Sequence, residues 1–312
     1  MVAQNLRRAV YAFAMGDALG GPYQYKARGT YTFTGQSTQQ SPLNGMWSDD
    51  TSMSLATINA LFEPYNLQAV MDNYEQYYQQ GKFTPEGEAF GMGEQTIKAL
   101  EAYQQGGALL REDAETANGN GALMRVWPVA FYTITADQTV EQVVNELTAL
   151  THGHEQSKLV ANIWVAFLRL LPRLKNVERA LEMAIRRYNR TPALVNKLRM
   201  NGLTWLVIPD GQTADDVIHQ LRELSIDEVP NSGYVVDTLK AVFWLLLQAT
   251  SFQQAVQSAI NIGGDTDTIA ALVASAIAFV YDDLPTAWLD SLANKNVIER
   301  ECLLADASHK FS

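Results

Sequence analysis

"NIGGDTDTIAALVASAIAFVY", residues 261–281, sets Asp265, Thr266, Asp267 and Thr268 at the mouth of a long apolar run. The stretch 269–280 is nearly unbroken and belongs in a core, yet it is shorter than the ~20 residues that a bilayer span takes. A carboxylate taken out of water costs several kcal/mol unless it is paired, hydrogen-bonded or bound to a cation. Two carboxylates placed against a buried helix therefore call for partners elsewhere in the chain.

Working outward, helical periodicity dominates. Apolar residues recur at helical intervals over 5–15, where a helix is expected to end at Gly16, and over 51–62, 67–80, 94–105, 138–150 and 156–171. The same spacing continues over 177–188, 214–224, 235–249, 252–261 and 267–281. Pro64, Pro172, Pro192, Pro209 and Pro230 fall between these segments rather than inside them. Strand signal is thin: "TYTFTG" (30–35) alternates, but it lies in a polar loop spanning 24–45, long enough to suggest a function. There is no internal repeat and no linker-like composition. The expectation is one compact, all-α, multi-helix domain over 1–312.

Three junctions share one character: "MGDALGG" after the first helix, "GMWSDDTSMS" before the second, and "NIGGDTDTIAA" before a late one. Asp, Ser and Thr are the preferred helix caps, and acidic groups suit a first turn. One cap needs one such residue, however. Here Ser48, Asp49 and Asp50 form one cluster, and Asp265, Asp267 and Thr268 another. If the clusters meet in space, four carboxylates repel unless cations sit between them. All the donors are oxygens, which suits Mg²⁺ or Mn²⁺ and not zinc, and the number of donors suits two ions.

A further glycine-rich turn, "ANGNGALMR" (117–125), gives close backbone access at Gly119, Asn120 and Gly121, with Arg125 positioned to face an anion. Alone, this turn is a weak signal. His152, in "LTHGHEQSK", reads by itself as a C-terminal helix cap. His154, His219 and His309 have no distinctive setting.

The chain has 312 residues, 47% hydrophobic and 18% charged, with a net charge of −11 and pI near 4.8. That balance argues against a general phosphate-backbone binder, though a helix N-terminus or a metal can still receive a small anion. The single Cys302 excludes an internal disulfide framework and a cysteine-rich zinc site. With no secretory signal visible in the first 21 residues, a soluble cytoplasmic protein without membrane attachment is expected.

Taken in order, "GDALGGP", "WSDDTS", "GNGALMR", "THGHEQS", "SGYVVDTL" and "GGDTDTIAA" resemble the blocks of the ADP-ribosylglycohydrolase family, across about 10–281. The resemblance implies an all-α fold with a dinuclear magnesium, sometimes manganese, centre. By motif position the ligands would be Ser48, Asp49, Asp50, Asp265, Asp267 and Thr268, the set reached above from charge. It implies that Gly119, Asn120, Gly121 and His152 line an ADP-ribose site, that Tyr234 either neighbours it or packs as a core aromatic, and that Asp17 contacts substrate, supports the ligands or caps a helix. Asp49 or Asp50 would accept a proton from, or orient, the attacking water. The partner would be ADP-ribose on a protein or a small molecule.

Two departures from the family pattern bear on activity. Many members carry a glutamate where this chain has Gln24, and others an aspartate where it has Gly91. An amide holds a water or a hydroxyl but cannot take its proton. Glu86, Glu88 and Glu94 lie near enough in sequence to substitute, with surface solvation as the alternative. A catalytically weak binding or structural member of the fold, as among lens crystallins related to this family, is therefore the alternative reading. An unrelated metal-dependent phosphohydrolase is a more distant one.

Overall fold

The computed structural model describes residues 4–35, 45–62, 65–111 and 117–311. Among them lie sixteen α-helices and no strand, only two isolated β-bridges. The first eight are α1 (Gln4–Gly20), α2 (Asp49–Ala60), α3 (Leu67–Gln80), α4 (Glu94–Gln104), α5 (Leu123–Val126), α6 (Val140–Ala149), α7 (Glu155–Leu168) and α8 (Leu171–Leu174). They are followed by α9 (Val177–Tyr188), α10 (Pro192–Met200), α11 (Ala214–Arg222), α12 (Val235–Gln248), α13 (Phe252–Asn261), α14 (Thr266–Ile277), α15 (Thr286–Ser291) and α16 (Lys295–Ser308).

The opening stretch forms α14, every residue of which is buried. A helix apolar on all sides can only be a core element, and α1, α2, α12 and α13 pack around it. Its longest contact is with α1. A Cβ placed on Gly16 would lie 2.3 Å from the Ala270 carbonyl oxygen, so the two backbones touch where Gly16 stands. That contact overrides the expected stop at Gly16: the first helix continues to Gly20, and "GDALG" lies inside it rather than in a loop. A helical glycine costs about 1 kcal/mol against alanine. Fully burying an Ile or Leu, such as Ile269 or Leu272 beside it, returns roughly 1.5–3 kcal/mol each.

Other expectations hold or shift locally. The bounds of α3, α9 and α13 fall where the periodicity puts them. The proline rule fails twice, because Pro172 sits in the first turn of α8 and Pro192 opens α10, positions where a missing N–H costs nothing. "TYTFTG" is no strand; the Phe33 backbone instead pairs with the Asn261 side chain, at 2.7 and 3.0 Å. Residues 36–44 of that loop, and Pro64, lie outside the described residues. The helices enclose one hydrophobic core. Among the described residues, no helix is long and apolar enough to cross a membrane.

Candidate functional site

Ser48 caps α2, its hydroxyl accepting from the Asp50 N–H at 3.3 Å, so Asp49 and Asp50 fill the first turn. Asp265 stands at the N-cap of α14, with Asp267 and Thr268 just inside. Gly263 and Gly264, both at φ +75°, make the turn that delivers it. The packing of α1 along α14 and against α2 brings the two helix starts together. The Thr268 hydroxyl reaches Asp50 Oδ2 at 3.3 Å across 218 positions, and the Ser48 hydroxyl reaches the same oxygen at 3.3 Å.

Asp17 does not line the cleft. Its carboxylate is fully buried and accepts from the Ser48 N–H, the Thr51 N–H and the Thr51 hydroxyl, at 3.0, 3.0 and 2.6 Å. Of the sequence alternatives, the geometry fits a residue that caps the start of α2 and supports Ser48 there, not a substrate contact.

Burial and mutual repulsion raise the proton affinity of the cluster. Burial first, then Asp17 and Asp265, push Asp49 up to about 8. Burial, Asp17 and Asp267 hold Asp50 well above the carboxylate range, and burial, Asp265 and Asp17 do the same for Asp267. Asp265 has neutral donors instead: the Asn120 amide at 2.5 Å and the Gln24 amide at 3.3 Å. Two buried oxygens, Asp50 Oδ1 and Asp267 Oδ1, one on each helix start, have no hydrogen-bond partner among the described residues. A buried, unpartnered carboxylate oxygen is costly unless something positive meets it. Among the described residues, no group of three or more His, Cys, Asp or Glu side chains is drawn together as a finished metal cage. The donor set nonetheless has the chemistry that a hard cation takes.

Above the carboxylates opens a cleft of about 240 Å³. The 119–121 turn forms one wall, held by a bridge between Gly119 and Tyr234 and by the Asn120 N–H to the Gly233 carbonyl, 2.9 Å. The Asn120 N–H is thus already used and cannot meet a phosphate. The ring of His152, 2% exposed, lies against this turn, 3.1 Å from where a Cβ on Gly121 would be. Tyr234 is not a core aromatic: it is 39% exposed, and its hydroxyl donates to Gln156 at 2.7 Å. The 3-10 turn after α1 places Gln24 over Asp265.

Arg125 does not face an anion. It is fully buried, stacks on Tyr74, and donates to the Tyr74 hydroxyl at 2.7 Å and to the Thr151 hydroxyl. Thr151 in turn contacts His152 Nδ1 at 2.7 Å, so the arginine braces the histidine from behind. His154, expected to be featureless, caps α7 by accepting from the Gln156 N–H at 3.2 Å. Sequence reading misses the α4 start, where Gln95 and Thr96 line the cleft, and Tyr25, which stands 80% exposed at its mouth with φ +61°. Glu94 also lines the cleft and pairs with Lys98 at 2.6 Å, whereas Glu86 and Glu88 are exposed and do not line it.

The family model described as ADP-ribosylglycohydrolase matches residues 2–311. The chain is 27% identical over 301 residues to the ADP-ribosylarginine hydrolase Tri1 of Serratia proteamaculans, covering 93% of this chain and 75% of that one. It is 27% identical over 308 residues to the ADP-ribosyl-[dinitrogen reductase] glycohydrolase of Rhodospirillum rubrum, covering 94% of this chain and 92% of that one. A solved structure titled ADP-ribosylglycohydrolase-related protein complex shares the fold, with a TM-score of 0.70, 24% identity and 98% of each chain covered.

Proposed function

The chain belongs to the ADP-ribosylglycohydrolase family, and on that premise we propose that it is a metal-dependent hydrolase. It releases ADP-ribose from a modified protein or a small conjugate by cleaving the bond at the anomeric carbon. The observation that carries this reading is the meeting of two buried acidic helix starts, joined by the Thr268–Asp50 hydrogen bond, each with an unpartnered carboxylate oxygen.

Ser48, Asp49, Asp50, Asp265, Asp267 and Thr268 would hold two Mg²⁺, or Mn²⁺ in their place. Bound there, the ions would supply positive charge that fixes ribose hydroxyls and acidifies a water. The protein's own groups do the rest. Asp49, which lines the cleft, is placed to accept the proton of the attacking water, with Asp50 as the alternative acceptor. The transition state is oxocarbenium-like. Asn120 fixes Asp265, and Arg125 through Thr151 fixes His152, so that both present constant geometry to the ligand. The 119–121 turn and His152 form the wall against which ADP-ribose would lie, and Tyr234, which does not line the cleft, holds that turn through its bridge to Gly119.

Two observations favour a second reading, a binding member with weak turnover: Gln24 offers an amide where a proton-transferring group is useful, and Gly91 offers no side chain. The test is a panel of ADP-ribose conjugates, arginine-linked first and then serine-, base- and acetyl-linked, with Mg²⁺ or with chelator. Release of ADP-ribose that chelator abolishes supports the hydrolase. Tight ADP-ribose binding without release supports the second reading. Phosphate release from a generic phosphoester would replace both with a phosphohydrolase.

A further inference from the structure

A cavity of about 680 Å³ lies apart from the aspartate cleft and is larger than it. It is bounded by the start of α6, the end of α7 and the second half of α9. The cleft sits beside His152, at the other end of α6. Ten residues of helix, roughly 15 Å, therefore separate the two, and they share no lining residue.

The lining is unusual for this chain. Lysine and arginine total 23 against 34 acidic residues, yet Arg169, Arg186, Arg187 and Arg190 all border this one cavity. Arg169 is anchored by backbone carbonyls of Val129, Ala130 and Tyr132, at 3.1, 3.2 and 3.4 Å, and Arg186 by Glu182 at 2.8 Å. Arg187 lies over the Tyr188 ring, 6.0 Å from its centroid. Arg190 is exposed at the end of this row. Among the described residues, the acidic counterweight in the lining is Glu141 alone. Between the arginines the walls are apolar, with Val140, Ala166, Leu170 and a half-exposed Met183.

Guanidinium groups bind phosphate oxygens in pairs and also stack on planar rings. Cavities of roughly 300–1,000 Å³ suit small organic ligands whose apolar body is buried while a few polar groups orient it. We propose that this groove binds a phosphorylated small molecule with a planar ring, of the nucleoside diphosphate class, with Arg187 and Arg190 on the phosphates and the apolar wall under the ring. The site is separate from the proposed hydrolytic cleft and does not depend on that assignment.

The probe is ADP, titrated calorimetrically into wild-type protein, Arg187→Ala/Arg190→Ala, Gly121→Val and the combined variant, with inorganic pyrophosphate and adenosine as the two halves. Both arginines are exposed, so the double variant should still fold, with only a small loss in melting temperature from the Arg187–Tyr188 contact. Expected are ADP binding that survives Gly121→Val, roughly tenfold or greater weakening of that binding when the arginines are also removed, and weaker binding of either half. ADP-ribose release by the arginine variant should match wild type. If Gly121→Val does not fold, photolabelling of wild-type protein with an azido-ADP decides: label within 183–190 supports the groove. Label confined to the cleft, ADP binding unchanged by the arginine substitutions, or pyrophosphate binding as tightly as ADP would each overturn the proposal.

Discussion

Gly91 lies directly against Asp49: a Cβ at Gly91 would come within 2.4 Å of Asp49 Oδ1, and the residue sits at φ +89°. The aspartate that the family resemblance leads one to expect at this place therefore cannot be added to this backbone as it stands. Gly91→Asp is expected to lower stability by about 1–3 kcal/mol through left-handed strain and to reduce, not restore, ADP-ribose release. Gly91→Ala should show the same stability loss in a thermal melt, separating strain from charge. A gain in activity with Gly91→Asp would show that the loop re-forms around a working carboxylate.

Asp267 carries one of the two unpartnered oxygens. Asp267→Ala should weaken Mg²⁺ binding by roughly 10–100-fold or more, the scale seen for even indirect ligand partners. Calorimetry showing wild-type affinity and stoichiometry would mean that the two acidic helix starts do not share a metal site.

At Gly121, a valine would press into the His152 ring and the Thr96 hydroxyl, whose nearest atoms are 3.1 and 3.2 Å from even a first added carbon. Gly121→Val should abolish ADP-ribose binding in the cleft while Mg²⁺ still binds. Retained cleft affinity in a folded variant would reduce the 119–121 turn to a structural one.

Gln24 donates to Asp265 at 3.3 Å. General acid–base assistance is worth roughly 10²–10⁴-fold, so Gln24→Glu is expected to raise kcat tenfold or more when measured at saturating Mg²⁺. No gain, or a loss with metals still bound, would show that the amide's hold on Asp265 is the role that matters.

The aspartate cluster also predicts a pH dependence for the metal-free fold. An acid whose folded pKa lies above its unfolded value binds more protons folded than unfolded, so its contribution is present at low pH and is lost as pH rises. For Asp49 the interval runs from 3.8 to about 8. In chelator, the melting temperature of wild type should fall across that interval relative to Asp49→Asn, and Mg²⁺ should raise it more at pH 8 than at pH 5. Parallel pH profiles for the two proteins would show that Asp49 is not held protonated by the fold.

What the sequence by itself determines here is local. Periodicity over a few turns sets the helices, so α3, α9 and α13 begin and end where the pattern does. Helix α16 is not among the segments read from sequence, although its buried Ile298, Cys302 and Ala305 do recur at helical spacing. The preference of Asp, Ser and Thr for helix starts places Ser48, Asp49 and Asp50 at one and Asp265, Asp267 and Thr268 at another, although only Ser48 makes a side-chain cap bond, Asp265 turning to Asn120 and Gln24 instead. Tertiary packing decides the rest. Whether α1 stops at Gly16 depends on the backbone of α14, 254 positions away, which only a glycine lets approach. Whether Arg125 meets an anion or is buried beneath His152 depends on Tyr74 and Thr151 closing over it from separate helices and loops. Gln24 reaches Asp265 across 241 positions, and Tyr25 reaches the cleft mouth only because the turn after α1 folds back on Gly264, with its N–H 2.7 Å from the Gly264 carbonyl. A short window of sequence encodes what a helix start can hold; which two starts face each other is set by the burial of α14 among its neighbours.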